Sequence, residues 1–159
     1  MQLEVSGIDH VYVSVTDLAR SMAFYDPVMR LLGFRKGTDP VAGEPHAHYF
    51  NPETQYTIRP ARTASAHDPY AAGLHHLCFR VRTMADVDAA ARGLRALGVA
   101  ATEPRLYPEY APDYYATFFS DADGLRLEIV AHRRMRSLVR EHWGELTEFE
   151  DPLRKAGLV

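Results

Sequence analysis

Gly7-Ile8-Asp9-His10-Val11-Tyr12-Val13-Ser14-Val15 is matched, position by position, by Gly73-Leu74-His75-His76-Leu77-Cys78-Phe79-Arg80-Val81. Each stretch opens on glycine, carries histidine at its fourth place and then sets apolar residues at alternate positions, the period of a half-buried strand. Working outward, each is followed by a helical stretch that closes on Leu-Gly and an apolar residue: Leu32-Gly33-Phe34 in the first half, Leu97-Gly98-Val99 in the second. The repeat therefore spans a strand, a helix and the helix stop. The chain reads as a duplicated module.

The first helix starts at Asp17, an acceptable N-cap, and carries Leu18, Met22, Tyr25, Met29 and Leu32 as its apolar stripe, with Pro27 inside it. In the second, Val87, Ala90, Ala91, Leu94 and Leu97 keep helical spacing and Gly98 ends the helix. Strands follow: Phe34 to Gly37, His46 to Asn51 and Tyr56 to Arg59 in the first half, then Val99 to Glu103, Tyr114 to Ser120 and Leu125 to Ala131 in the second. Asp121-Ala122-Asp123-Gly124 has the residues of a tight turn. Segments 38–45 and 104–113 read as loops over an opening, and 61–72 as the linker between module one, 7–60, and module two, 73–131. The reading is thus α+β, with one domain over 1–131. The tail, 132–159, mixes Met135, Leu138, Trp143 and Phe149 with many charges and reads as a helical extension.

Strand side chains alternate between faces. If Val11, Val13 and Val15 meet the helix, His10, Tyr12 and Ser14 face the other way. The same parity puts His76, Cys78 and Arg80 opposite Leu77, Phe79 and Val81, and Arg126, Glu128 and Val130 opposite Leu125, Leu127 and Ile129. A duplicated module usually pairs about an approximate two-fold axis, so His10 and His76 are expected near each other, with Glu128 in the same hollow. Two imidazoles and one carboxylate form a metal-binding set, with bonds of about 2.0 to 2.2 Å to zinc; with open positions, the set also suits Fe(II) or Mn(II). One divalent ion is expected on His10, His76 and Glu128. His75 points by parity toward the helix side or the strand start and is a poor ligand. Of Tyr107, Tyr110, Tyr114 and Tyr115, most fit ordinary packing. Tyr115 is the candidate acid beside the metal, with Glu128, and Tyr110 a candidate substrate contact. His46 and His48 share a face, and either surface exposure or, for His48, a substrate contact fits. Arg59 and Arg126 suit two-pronged carboxylate binding or surface ion pairs. Cys78 reads as small-residue packing.

Hydrophobic residues make up 47% and charged residues 25% of the 159, as in ordinary globular chains. A formal charge of -3, without a basic run, argues against a duplex nucleic-acid partner and leaves small molecules. One cysteine rules out an intrachain disulfide and fits a reducing compartment. Met1 to Val15 has neither the basic start nor the apolar block of a secretory signal, and no apolar run nears the roughly 20 residues of a membrane span. The cytoplasm is the expected location.

The pattern resembles the vicinal oxygen chelate, or glyoxalase/bleomycin resistance protein/extradiol dioxygenase, superfamily of paired βαβββ modules. The residues that carry the likeness are Asp9-His10-Val11, Asp17-Leu18 with Phe24-Tyr25, His75-His76-Leu77-Cys78-Phe79, and Phe119 to Glu128. The resemblance covers Gly7 to about Ala131. It implies two modules with pseudo-two-fold symmetry forming a curved mixed sheet around a metal cup, and a homodimer that completes or covers that cup. It also implies a metal, whether Fe(II), Mn(II), Zn(II) or Ni(II), that chelates two vicinal oxygens of a substrate, for dioxygenase-like or lyase/isomerase chemistry. The second carboxylate of glyoxalase I-like members has no counterpart at Thr57, Ile58 or Arg59, and no potassium-binding loop like that of fosfomycin-modifying members stands in 104–113. The alternative is a non-catalytic, bleomycin-resistance-like protein that sequesters a drug or metabolite.

Overall fold

A computed structural model describes residues 5–63, 65–131 and 133–159. The ends of the expected domain and tail at Met1 and His132, and Ala64 of the linker, lie outside the described residues. In chain order the elements are β1 (His10–Val15), α1 (Leu18–Leu31), β2 (Arg35–Gly37), β3 (Ala47–Phe50), β4 (Gln55–Pro60), β5 (His76–Val81), α2 (Met84–Ala96), β6 (Arg105–Leu106), β7 (Tyr115–Ser120) and β8 (Arg126–Ala131). Helix α3 (Arg134–Glu141), a single 3-10 turn (Trp143–Glu145) and the short helix α4 (Pro152–Lys155) follow.

Asp17 caps α1 by accepting from the Arg20 N–H at 3.0 Å, and the helix runs on through Pro27. Helix α2 starts on a capping box that the sequence reading did not single out: Thr83 Oγ1 accepts from the Asp86 N–H, while the Asp86 carboxylate accepts from the Thr83 N–H. The first module forms the sheet β1-β4-β3-β2 and the second β5-β8-β7-β6, each mixed, with its first strand parallel to its last. Two βαβββ units in the same strand order are the duplication seen in sequence.

One expected strand is displaced. Residues 99–103 form no ladder; the edge strand is Arg105–Leu106. The Thr102 N–H does reach the Phe118 carbonyl at 2.9 Å, but the Phe118 N–H donates to Thr102 Oγ1 and Thr117 Oγ1 donates to the Thr102 carbonyl. Threonine side chains have taken the bonds that strand pairing would use.

The apolar faces of both sheets and both long helices share one core, with Tyr25, Met29, Ile58, Leu94, Leu127 and Ile129 among its fully buried side chains. Each such aliphatic side chain contributes about 1.5–3 kcal/mol relative to exposure. The helices touch where Gly93 leaves room: a Cβ there would meet Leu31 Cδ1 at 2.6 Å. Polar ties also join the modules. The Tyr25 hydroxyl donates to Asp121 at 2.7 Å and lies 2.8 Å from the Tyr56 hydroxyl, all three residues being buried. Asp123 accepts from the Thr16 N–H at 2.7 Å and from the Arg20 guanidinium. With the apolar faces turned inward on this core, the polar face of each sheet is turned away from it. Among the described residues no helix is long and apolar enough to cross a membrane.

Candidate metal centre

The outward face of the second sheet holds a cavity of about 310 Å³ bordered by His75, His76, Tyr110, Tyr114, Phe118, Arg126 and Glu128. Glu128 lies mid-strand in β8, opposite Cys78 of β5 and Phe118 of β7, and only 1% of it is exposed. A buried carboxylate requires partners. The Tyr114 hydroxyl donates to its Oε1, and His76 Nε2 stands 3.3 Å from its Oε2. Two ligands bound at about 2.1 Å to one ion stand about 3.0 Å apart in octahedral and 3.4 Å apart in tetrahedral geometry. The His76–Glu128 separation falls within that interval, so its spacing is compatible with a shared divalent ion.

Each repeated histidine is oriented by the residue before it. His10 Nδ1 lies 2.7 Å from the Asp9 carboxylate, and His76 Nδ1 lies 2.7 Å from His75 Nδ1. In both cases Nδ1 is the nitrogen held by the neighbour, as when an outer hydrogen bond sets a metal-ligating imidazole, and in His76 this leaves Nε2 facing Glu128. His10, however, stands on the first sheet with half of its side chain exposed, its ring edge-on to Tyr12 at 5.3 Å. Among the described residues, no three His, Cys, Asp or Glu side chains gather closely enough to hold a metal within one chain. A larger hollow of about 410 Å³ lies along the linker, but its Asp121 and Asp123 are engaged by Tyr25, Thr16 and Arg20.

The sequence model of the Glyoxalase/Bleomycin resistance protein/Dioxygenase superfamily matches residues 7–129. The chain belongs to that superfamily. Its fold is similar to the glyoxylase/bleomycin resistance protein/dioxygenase domain from Frankia sp. EAN1pec, at 25% identity and a TM-score of 0.65, over 82% of this chain and 100% of that one. It is also similar to the genomically encoded fosfomycin resistance protein FosX from Listeria monocytogenes, at 19% identity and a TM-score of 0.63, over 86% and 99% of the two chains. A mutant of FosX complexed with Mn(II) and 1S,2S-dihydroxypropylphosphonic acid matches at 18% identity and a TM-score of 0.63, over 85% and 98%. A search of curated protein sequences returned no match.

In this superfamily member, strand parity places Tyr114 at the cavity and Tyr115 away from it. Phe118 lies opposite Glu128 and shares its face, and counting back by twos gives Ala116 and Tyr114. Tyr115 therefore takes the helix side, where its hydroxyl donates to Asp88 of α2 at 2.7 Å. The expectation that Tyr115 serves as the acid beside the metal is corrected accordingly. Applying to β7 the parity used for β8 would have selected Tyr114. Tyr110 does border the cavity, its ring 5.2 Å from that of Tyr114, as does Arg126, over the Phe118 ring at 4.4 Å.

His48 and Arg59 lie on the first sheet and are engaged there. His48 Nε2 donates to the Asp39 carbonyl at 2.9 Å, leaving its Nδ1 to accept near Thr57 Oγ1 at 3.0 Å, and Arg59 is paired with Glu44. His75 borders the cavity rather than the helix side, but its Nδ1 is engaged by His76. Thr57 stands opposite Tyr12 in β1, as Glu128 stands opposite Cys78, so threonine occupies the place in the first sheet that the carboxylate holds in the second.

Burial, followed by the Glu128 hydrogen bond and charge, pushes the Tyr114 hydroxyl well above its ordinary value. It is a proton-bearing donor at neutral pH. Cys78 is exposed rather than packed, and desolvation and then the Glu128 charge push its thiol upward, which argues against nucleophilic chemistry.

Proposed function

We propose that this chain is a divalent-metal-dependent enzyme acting on a small oxygenated substrate, with His76 and Glu128 of one chain and His10 of a second copy as the metal ligands. The observation that carries the reading is the pair of His76 Nε2 and the buried Glu128 carboxylate, 3.3 Å apart at the edge of an open cavity. The second copy enters because His10 presents an oriented, exposed imidazole on an outward face that its own His76 does not share. A homodimer that stacks the first sheet of one copy over the second sheet of the other would bring the three together.

When bound, the ion supplies Lewis acidity and open positions for two vicinal oxygens of the substrate. The residues around it do the rest. Asp9 and His75 hold the two imidazole rings in place, Tyr114 keeps Glu128 oriented and carries a proton within reach of the cavity, and Tyr110 and Phe118 line one side of it. Thr57, in place of a second carboxylate, favours dioxygenase-like or other lyase/isomerase chemistry over glyoxalase chemistry. The native ion is one of Fe(II), Mn(II), Zn(II) and Ni(II), the Mn(II) bound by FosX being one precedent on this fold.

The test is metal analysis of protein purified without chelator, followed by an oxygen-uptake screen against catechols. About one ion per chain is expected. Fewer than about 0.2 per chain, not recovered on adding any of the four ions, would overturn the reading in favour of a metal-free binding protein.

A further inference from the structure

The charge around the cavity is one-sided. Glu128 is its only carboxylate among the bordering residues, and both its oxygens face partners, Tyr114 and His76. The remaining ionisable neighbours are two imidazoles, two tyrosines and a guanidinium, Arg126. A second guanidinium comes from outside the paired modules. Arg133, between the end of β8 and the start of α3, holds its Cζ 5.0 Å from the centroid of the Tyr114 ring. The Tyr114 ring shares the face of Phe118 and Glu128, so Arg133 lies on that face of the sheet. The Asp113 carboxylate accepts from the Arg134 N–H and holds this part of the tail against the loop that leads into β7.

Neither of these two arginines is engaged in an ion pair among the described residues, whereas Arg20, Arg59, Arg95 and Arg105 each have an acidic partner. Each instead lies over an aromatic ring fixed in the cavity wall, Phe118 or Tyr114. A cation–π contact steers a guanidinium but leaves its in-plane N–H fork unfilled, and that fork matches a carboxylate or phosphonate.

We propose that the substrate carries an anionic group, carboxylate or phosphonate, beside its chelating oxygens, and that Arg126 at the cavity binds it while the tail residue Arg133 adds a second positive charge on the same face. This rests on the metal-centre reading above. The C-terminal extension then acts as a specificity element, reaching a site that the paired modules build.

Three probes that share one chelating group test it: catechol, 3,4-dihydroxybenzoate and 3,4-dihydroxyphenylphosphonate, titrated calorimetrically into metal-loaded protein whose metal content is measured first. The anionic probes are expected to bind at least about tenfold more tightly than catechol, as a charge-assisted pair warrants, and the tighter of the two names the group. Arg126→Gln should remove most of that preference and Arg133→Gln part of it, with metal content unchanged. Arg133→Lys should restore part of it. Equal affinity for neutral and anionic probes, failure of all three to bind, or equal weakening of all three in both Gln variants would overturn the proposal while leaving the metal centre intact. Protein that holds no metal would overturn both.

Discussion

Consider protein refolded from equal amounts of two variants, His10→Ala and Glu128→Gln. In the two-copy arrangement each centre takes His10 from one chain and His76 with Glu128 from the other. A dimer of either variant alone has a ligand missing from both centres. In a mixed dimer, one centre lacks both ligands and the other is complete. Random pairing makes half of the dimers mixed, so the mixture should hold about one quarter of the wild-type metal. Neither substitution threatens the fold, because His10 is half exposed on an outer face and Gln keeps the shape of Glu128 and its bond from Tyr114. Metal is measured by mass spectrometry after gel filtration, with light scattering to confirm the dimer. Each variant alone should retain under about one tenth of the wild-type content. A mixture that dimerises yet stays at the level of the separate variants would refute the shared centre, as would full metal in His10→Ala.

Tyr25→Phe should destabilise the protein by about 2–3 kcal/mol, a drop of roughly 5–10 °C in Tm, because it strips a buried carboxylate and a buried hydroxyl of a common partner. A loss below about 1 kcal/mol in thermal melts would show the link between modules to be weak. Asp123→Asn should cost about 1–2 kcal/mol at neutral pH. Burial works to raise the Asp123 carboxyl, but the Thr16 hydrogen bonds and the Arg20 charge outweigh it and hold it below 3.8. Its contribution is therefore present above the ordinary carboxylate range and is lost as pH falls through the lowered folded value; denaturant melts should show wild type and variant converging only in strong acid, and a gap that closes between pH 5 and 7 would contradict this. Tyr114→Phe should weaken metal binding about tenfold or more in competition with a chelating dye, by freeing Glu128 to turn, whereas Tyr115→Phe leaves it unchanged. Equal effects from both would mean that neither hydroxyl is specific to the site.

The two long helices, seven of the eight strands and the outward-facing sets of residues were legible in the chain, because period two and period 3.6 are local properties. The edge strand was misplaced because Thr102 and Thr117 divert its bonds through side chains, and apolar spacing carries no sign of that. Tyr114 was within reach of the same parity argument. Arg133 was not, because nothing local tells a tail arginine that it will sit over the Tyr114 ring.

What the sequence determined by itself is the duplicated module and the identity of the side chains on each polar face: His10 on one sheet, His76 and Glu128 on the other. What only the tertiary structure decided is which of those faces share a hollow. Each sheet buries its apolar face on its own helix and the two meet in one core, so each polar face is turned from that core: His76 meets Glu128 within the chain while His10 is left exposed on the other sheet. Alternation assigns a residue to a side of its own strand; the relative placement of two sheets depends on contacts between residues far apart in the chain.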